Sequence, residues 1–153
     1  MTATVRRATP DDAPDVGRLL HDFNTEYDDY TPGAGVLAQR AAEMIASGEI
    51  FVLLGGHGPD GIALLTIRRQ IFTGEPDAYL QELYVAPARR GQGLGRALLE
   101  AAMDLAREEG ATHFDLTTSD DDTAAVGLYR SAGFTNREGS ADGPRMLYFE
   151  RDL

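Results

Sequence analysis

A glycine-rich segment, Leu83–Arg96, constrains the fold more than any other part of the sequence. An apolar stretch typical of a strand runs into Arg89, Arg90 and three alternating glycines, and an amphipathic helical pattern follows at once. Glycines let the backbone direct its N–H groups to one point, where the helix N-terminus adds unpaired donors and a positive dipole. Since the chain carries a net charge of −11, the local group of arginines, completed by Arg96, predicts an anionic ligand such as a pyrophosphate.

The glycine spacing excludes two common phosphate-binding loops. A dinucleotide-binding G-x-G-x-x-G pattern counted from Gly91 would need its third glycine at Arg96. A Walker loop ends in Gly-Lys-Ser/Thr, and this chain contains no lysine. The segment instead has the spacing R-x-x-G-x-G, which runs from Arg90 to Gly95.

Size and composition favour one globular domain over residues 1–153. With 42% hydrophobic residues, the chain is long enough to form a core. We expect a cytoplasmic protein, because no stretch approaches the roughly 20 apolar residues of a membrane span and the N-terminus lacks the apolar part of a signal peptide. The absence of cysteine excludes disulfides and thiol catalysis, and the three histidines lack metal-ligand spacing, so no metal is expected.

Hydrophobic periodicity and turn residues predict an α/β fold with a mixed, mostly antiparallel sheet. The predicted order is β-α-α-β-β-β-α-β-α-β-β, in which strand 79–85, helix 93–109 and strand 113–118 form a right-handed βαβ unit. The other predicted strands are 3–8, 49–54, 62–72, 134–138 and 146–152, and the other helices are 10–27, 36–47 and 123–132.

A second motif lies downstream, where Ala125-x-x-x-Tyr129-x-x-x-Gly133-Phe134 follows the predicted βαβ unit. Together with the Arg90–Gly95 spacing and the element order, it makes the chain resemble the GNAT family of N-acetyltransferases over essentially its whole length. The resemblance implies the GNAT fold, acetyl-coenzyme A (acetyl-CoA) as co-substrate, and acetyl transfer to a primary amine by direct attack on the thioester. One position departs from the family pattern, since Asp122 stands where the family usually has asparagine.

The resemblance also implies which residues bind the coenzyme. In the family the glycine turn holds the pyrophosphate, and the preceding strand diverges from its neighbour at a bulge and offers backbone N–H groups to the pantetheine and the thioester oxygen. The corresponding positions in this chain are Leu83, Tyr84, Val85, Arg90, Gly91, Gln92, Gly93, Leu94, Gly95, Arg96, Asp122 and Ala125.

Tyr129 is the candidate general acid, because the family places a tyrosine hydroxyl near the coenzyme sulfur at this motif position. A different interpretation follows from helical spacing. Ala125, Leu128, Tyr129 and Ala132 share one helix face, so the alternative is a core aromatic with its hydroxyl at the rim.

Glu82 is the candidate base for the incoming ammonium, acting directly or through water. Simple strand alternation places Glu82 on the same face as Leu80 and Tyr84, and Gln81 on the other. A glutamate on a solvated strand face is the alternative interpretation.

The acceptor is indicated by the segment His21–Tyr30, which contains four acids and three aromatics. The resemblance implies that this region lines the acceptor site and that polar residues of strand 79–85 also contribute to that site. Carboxylates and aromatic faces favour a small cationic amine, such as a polyamine or an aminoglycoside-like molecule. A solvated acidic helix end is the other interpretation. The candidate substrate-binding residues are Glu26, Tyr27, Asp28 and Gln81.

Two other functions remain open from the sequence, namely a non-catalytic acyl-CoA sensor or regulatory module and an N-acetyltransferase of proteins or basic peptides. Nucleic acid is not expected as a partner, because the acidic surface repels phosphates. A membrane partner is not expected either. A homodimer is suggested only by the frequency of dimers in the family.

Overall fold

The computed structural model describes residues 3–153, which divide into two compact units, one ending at Leu116 and one running from Thr117 to Leu153. The second unit contains the helix α4 (Thr123–Ser131). The first unit contains the remaining elements, namely β1 (Val5–Arg7), α1 (Ala13–Glu26), α2 (Ala34–Ser47), β2 (Phe51–Gly55), β3 (Gly61–Arg69), β4 (Pro76–Val85), α3 (Leu94–Glu108) and β5 (His113–Leu116). Within residues 3–153, no helix combines the length and apolarity needed to cross a bilayer.

The sheet of the first unit has the strand order β1-β2-β3-β4-β5. Neighbouring strands are antiparallel except for β4 and β5, which are parallel and joined through α3. The predicted α/β class, the mixed and mostly antiparallel sheet and the βαβ unit are therefore confirmed.

Helices cover both faces of this sheet. On one face, Val16 and Leu19 of α1 and Ala41 of α2 pack with Leu64 and Tyr84 in a buried core. We call this the α1/α2 face.

The other face, which we call the α3 face, depends on two facing glycines. Gly55 and Gly61 are register partners on β2 and β3. A Cβ atom would lie 2.7 Å from the Leu94 side chain at Gly55 and 2.8 Å from the Leu98 side chain at Gly61. The absence of side chains at these positions lets α3 approach the sheet closely.

Several element ends differ from the predicted ones. The first helix begins with a 3-10 turn, Pro10–Asp12, before α1 proper. β3 ends at Arg69 rather than at residue 72, because the Gln70 N–H bonds to the Glu75 carbonyl at 2.7 Å and the chain turns there. β4 begins three residues earlier than predicted, at Pro76.

The prediction of two closing strands, 134–138 and 146–152, was wrong. In the described chain this region contains a single antiparallel bridge, between Arg137 and Arg145, flanked by a bond from the Glu138 N–H to the Pro144 carbonyl. The chain does turn back where expected. The apolar residues 146–149 are all exposed, so a longer two-stranded ladder would bury no apolar face that could stabilise it.

Candidate active site

A β-bulge lies at Gln81, in the strand that leads to the glycine turn. Leu65 of β3 faces Leu80, and the adjacent Leu64 faces Glu82, so Gln81 has no register partner on β3. Gln81 is exposed. One strand therefore carries one extra residue, which bends β4 and redirects the side chains that follow.

β4 also parts from β5 at this position. β5 pairs only with the stretch from Asp77 to Leu80. Beyond the bulge, as far as Val85, β4 has no ladder partner on that edge among the described strands. The bulge and the strand divergence implied by the resemblance are thus both present, and the coenzyme contacts of Leu83, Tyr84 and Val85 stay predictions.

The bulge corrects the predicted orientation of one side chain in this strand. Register partners project from the same side of a sheet, so Glu82, opposite Leu64, lies on the α1/α2 face together with Tyr84. Leu80 faces Leu65 and lies on the opposite face. The expectation that Glu82 and Leu80 share a face was wrong, because simple alternation does not count the extra residue.

Glu82 has electrostatic properties that suit a base. Burial raises its pKa, and the negative charge of Asp29 raises it further. A carboxyl with a raised pKa is a stronger base than an exposed one and titrates closer to neutral pH.

Asp115 of β5 is a further polar residue on the same face, and sequence analysis did not identify it. It is the register partner of Tyr79, which faces Thr66 of β3, two positions from Leu64. Among the described residues, the Asp115 Oδ1 atom is buried without a hydrogen-bond partner. An isolated aspartate in a short strand gives no sequence signal that could have revealed this.

The glycine turn forms an open cradle at the end of β4. Gly91 and Gly93 have φ angles of 73° and 86°, which L-residues rarely adopt, and Gly93 caps the N-terminus of α3. No atom lies within 4 Å of a Cβ built on either glycine. The third glycine, Gly95, belongs to the first turn of α3. This arrangement of backbone and helix terminus fits a pyrophosphate.

All three arginines near the turn have a carboxylate within ion-pair distance. Arg89 Nη1 lies 2.9 Å from Asp60 Oδ2, and Arg90 Nη2 lies 2.7 Å from Glu26 Oε2. Arg96 Nη1 lies 4.0 Å from Glu100 Oε1. The positive charge expected from the sequence is therefore largely balanced at Arg89 and Arg90.

The acidic and aromatic end of α1 packs against the end of β4. The Tyr84 hydroxyl donates to Glu26 Oε1 at 3.2 Å, and the Phe23 ring stacks on Tyr84 with centroids 5.0 Å apart. The Tyr27 ring meets Phe23 edge-on, with centroids 5.4 Å apart. Asp28 then takes a left-handed conformation, with a φ of 56°. The structure thus brings the acceptor-side candidates Glu26, Tyr27 and Asp28 next to the strand that carries Glu82.

The second unit contains the other candidates. Asp122 caps α4, because its Oδ1 accepts the Ala125 N–H at 3.1 Å. Tyr129 is buried, and burial together with the Asp122 charge raises its pKa to about 12. Its hydroxyl therefore keeps its proton at neutral pH. Within residues 3–153, no group of three or more His, Asp or Glu side chains is arranged to hold a metal ion.

Two known proteins match this chain over nearly its whole length. The chain is 30% identical over 154 residues to an aminoglycoside N(6')-acetyltransferase type 1 of Stenotrophomonas maltophilia, covering 98% of this chain and 94% of that protein. A putative acetyltransferase from Arthrobacter sp. FB24 is 43% identical and superposes with a TM-score of 0.89, over 98% of this chain and 96% of that one.

A third comparison shows the fold alone. An aminoglycoside acetyltransferase from a soil metagenome, solved in complex with sisomicin, is 17% identical with a TM-score of 0.79, over 99% of this chain and 96% of that one.

The model of the acetyltransferase (GNAT) family matches residues 13–134, which include the bulged strand, the glycine turn and the Tyr129 motif. The chain belongs to the GNAT family and is an N-acetyltransferase.

Proposed function

We propose that this protein transfers the acetyl group of acetyl-CoA to a primary amine of a small cationic molecule of the polyamine or aminoglycoside type. The observation that supports binding of acetyl-CoA, the acetyl donor, is that three features occur together on β4. The strand bulges at Gln81, loses its β5 partner at the same point and leads into the turn of Gly91 and Gly93.

The proposed chemistry uses the candidate residues named above. Bound acetyl-CoA supplies the acetyl group as a thioester. Backbone N–H groups of Leu83–Val85 polarise its carbonyl, and Glu82 accepts a proton from the amine so that the nitrogen lone pair is available. A C–N bond forms and the C–S bond breaks. The Tyr129 hydroxyl donates a proton to the leaving sulfur, and the proton that the nitrogen loses on becoming an amide returns through water to the Tyr129 oxygen.

Two observations support a cationic amine as the acceptor, namely the acidic groups around Glu82 and the name of a relative. Glu82 lies on the face where α1 ends in an acidic segment, and Asp29 acts on its pKa. The unpartnered oxygen of Asp115, on the same face, would be satisfied by an N–H donor of a bound amine. The relative from Stenotrophomonas maltophilia acetylates aminoglycosides according to its name.

We further propose that residues 1–153 act as one acetyltransferase domain, because the family match over residues 13–134 includes parts of both compact units. A single unfolding transition, coincident by far-ultraviolet circular dichroism and by tyrosine fluorescence, is the expected result. Two separated transitions would contradict it.

Release of free coenzyme thiol tests the transfer reaction directly. The chain has no cysteine, so a thiol reagent reports only on coenzyme. We expect turnover of acetyl-CoA with sisomicin and with spermidine, weaker turnover with a basic peptide, and none with a neutral disaccharide. Coenzyme binding without turnover on any amine would contradict the proposal and favour the sensor function, and turnover on the peptide alone would favour peptide acetylation.

A further inference from the structure

The side chain of Arg90 is fixed at three points. Its Nε atom donates to the Val85 carbonyl at 3.0 Å, and its Nη2 atom donates to Glu26 Oε1 at 2.8 Å. The guanidinium also lies over the Tyr84 ring, 5.7 Å from the centroid. All three contacts tie Arg90 to the end of β4 or to α1.

The guanidinium of Arg90 and the helix α3 lie on different sides of the sheet. Tyr84, beneath the guanidinium, is part of the core of the α1/α2 face. Leu94 and Leu98 of α3 pack against the opposite face, at Gly55 and Gly61. Arg90 therefore turns back over β4, away from the side on which α3 packs.

Glu26 is the residue that holds Arg90 there. As the last residue of α1, it has both carboxylate oxygens within 2.8 Å of Arg90 Nη2 and also accepts the Tyr84 hydroxyl at 3.2 Å. Its side chain is 28% exposed. The contact joins residues 64 positions apart, so it connects the acceptor-side helix to the start of the coenzyme turn.

We propose that Glu26 is a positioning residue of the coenzyme site: through Arg90 it holds the end of β4 and the start of the glycine turn in the conformation that binds coenzyme A. This inference rests on the proposed coenzyme site. It assigns Glu26 to the coenzyme site, because its carboxylate already accepts hydrogen bonds from Arg90 and Tyr84. The acceptor amine is then met by other groups of that face, such as Glu82 and Asp29.

A competing role for Glu26 predicts that its removal changes coenzyme affinity in the opposite direction. If Arg90 had to leave Glu26 to bind the pyrophosphate, the carboxylate would compete with the coenzyme, and its removal would strengthen coenzyme binding. If Glu26 instead positions the turn, its removal loosens the turn and weakens binding.

The experiment compares Glu26→Ala, Glu26→Gln, Arg90→Ala and the Glu26→Ala/Arg90→Ala double variant with the wild type. The control is Asp104→Ala, which removes a surface ion pair of similar length, 3.0 Å, with Arg107 on α3. Calorimetry measures the Kd of coenzyme A, and hydrogen exchange of the free protein measures protection of residues 85–95.

We expect Glu26→Ala to weaken coenzyme A binding about five-fold or more and to speed exchange in residues 85–95, while Asp104→Ala changes neither. Glu26→Gln keeps an acceptor for Arg90 and Tyr84, so it should retain part of the affinity. The double variant should be no worse than Arg90→Ala, since both substitutions break one connection. The KM for acetyl-CoA should rise while the KM for the amine changes little.

Tighter coenzyme binding in Glu26→Ala, or exchange at the wild-type rate in residues 85–95, would overturn the proposal. A rise in the KM for the amine alone would return Glu26 to the acceptor site. A wild-type chain that does not bind coenzyme A contradicts the proposed function, and the exchange comparison on the free protein still decides whether Glu26 orders the turn.

Discussion

Glu82 and Leu80 are two positions apart on β4, yet their side chains lie on opposite faces of the sheet. The extra residue at the bulge, Gln81, shifts the alternation by one. Glu82 therefore joins Tyr84 and the acidic end of α1, and Leu80 stays on the α3 face. The position of the candidate base depends on this one insertion.

Replacing Glu82 by glutamine should lower activity and raise stability together. As a general base, Glu82 contributes on the order of 100-fold, so kcat/KM for the amine should fall by about that factor. The acidic limb of the pH–rate profile should disappear as well. The pKa of Glu82 is raised in the folded protein, so the protonated carboxyl favours folding and the ionised carboxylate opposes it. The stability that the protonated form contributes is lost as the pH rises through the raised pKa. Glu82→Gln should therefore unfold at higher denaturant concentration at pH 8.

Glu43→Gln is the matched control, since Glu43 is an exposed residue of α2. It should leave the pH–rate profile and the unfolding midpoint unchanged. An intact acidic limb in Glu82→Gln would assign the base to another group.

Long periodic elements could be predicted from the sequence with good accuracy. The structure places α3 at Leu94–Glu108, one residue inside each end of the predicted helix 93–109, because apolar residues recur along it at three- and four-residue spacing. The left-handed cap of α2 at Gly48 was likewise readable from a glycine after the last apolar position.

The features that determine the site geometry are not local and could not be predicted in the same way. The bulge at Gln81 depends on how β3 pairs with β4. The sequence of residues 79–85 is compatible with pairing both with and without the extra residue. The ion pairs Arg90–Glu26 and Arg89–Asp60 join distant parts of the chain. Sequence composition showed a cluster of arginines but not which carboxylates would balance them.

Tyr129→Phe should separate catalysis from coenzyme binding. Loss of a general acid should lower kcat on the order of 100-fold, while the Kd of coenzyme A, measured by calorimetry, changes by less than about two-fold. The pKa of Tyr129 is raised to about 12, so the hydroxyl remains a donor throughout the neutral range. Any fall in wild-type kcat below about pH 10 must then come from another group, and the variant should keep the same fall. Wild-type turnover in Tyr129→Phe would leave Tyr129 as a core aromatic only.

Asp12→Asn should reduce stability in a pH-dependent manner. The Asp12 carboxylate accepts Arg6 at 2.9 and 2.8 Å and the Thr9 N–H at 2.8 Å, and the hydrogen bonds from Arg6 and then Thr9 lower its pKa to about 2. Because the pKa of Asp12 is lower in the folded than in the unfolded chain, its carboxylate stabilises the fold at pH values above the unfolded-state pKa. This stabilisation is lost as the pH falls toward 2.

Since the pair is at the surface, we expect Asp12→Asn to cost roughly 1 kcal/mol of unfolding free energy at pH 7. Urea unfolding at pH 7 and at pH 3 measures the difference, which should shrink at the lower pH. Asp104→Asn, in the exposed pair with Arg107, is the control for loss of a surface carboxylate. A cost that does not change with pH would contradict the role of the carboxylate charge.

Gly93→Ala and Gly48→Ala form a matched pair that separates backbone strain from coenzyme binding. Both glycines have a positive φ, 86° and 78°, both flank a helix, and neither has an atom within 4 Å of an added Cβ. Each substitution should therefore cost roughly 1 kcal/mol of unfolding free energy through the same left-handed strain. Only Gly93 belongs to the glycine turn, so only Gly93→Ala should also weaken coenzyme A binding, which calorimetry measures. Equal affinities in the two variants would mean that the turn does not hold the pyrophosphate.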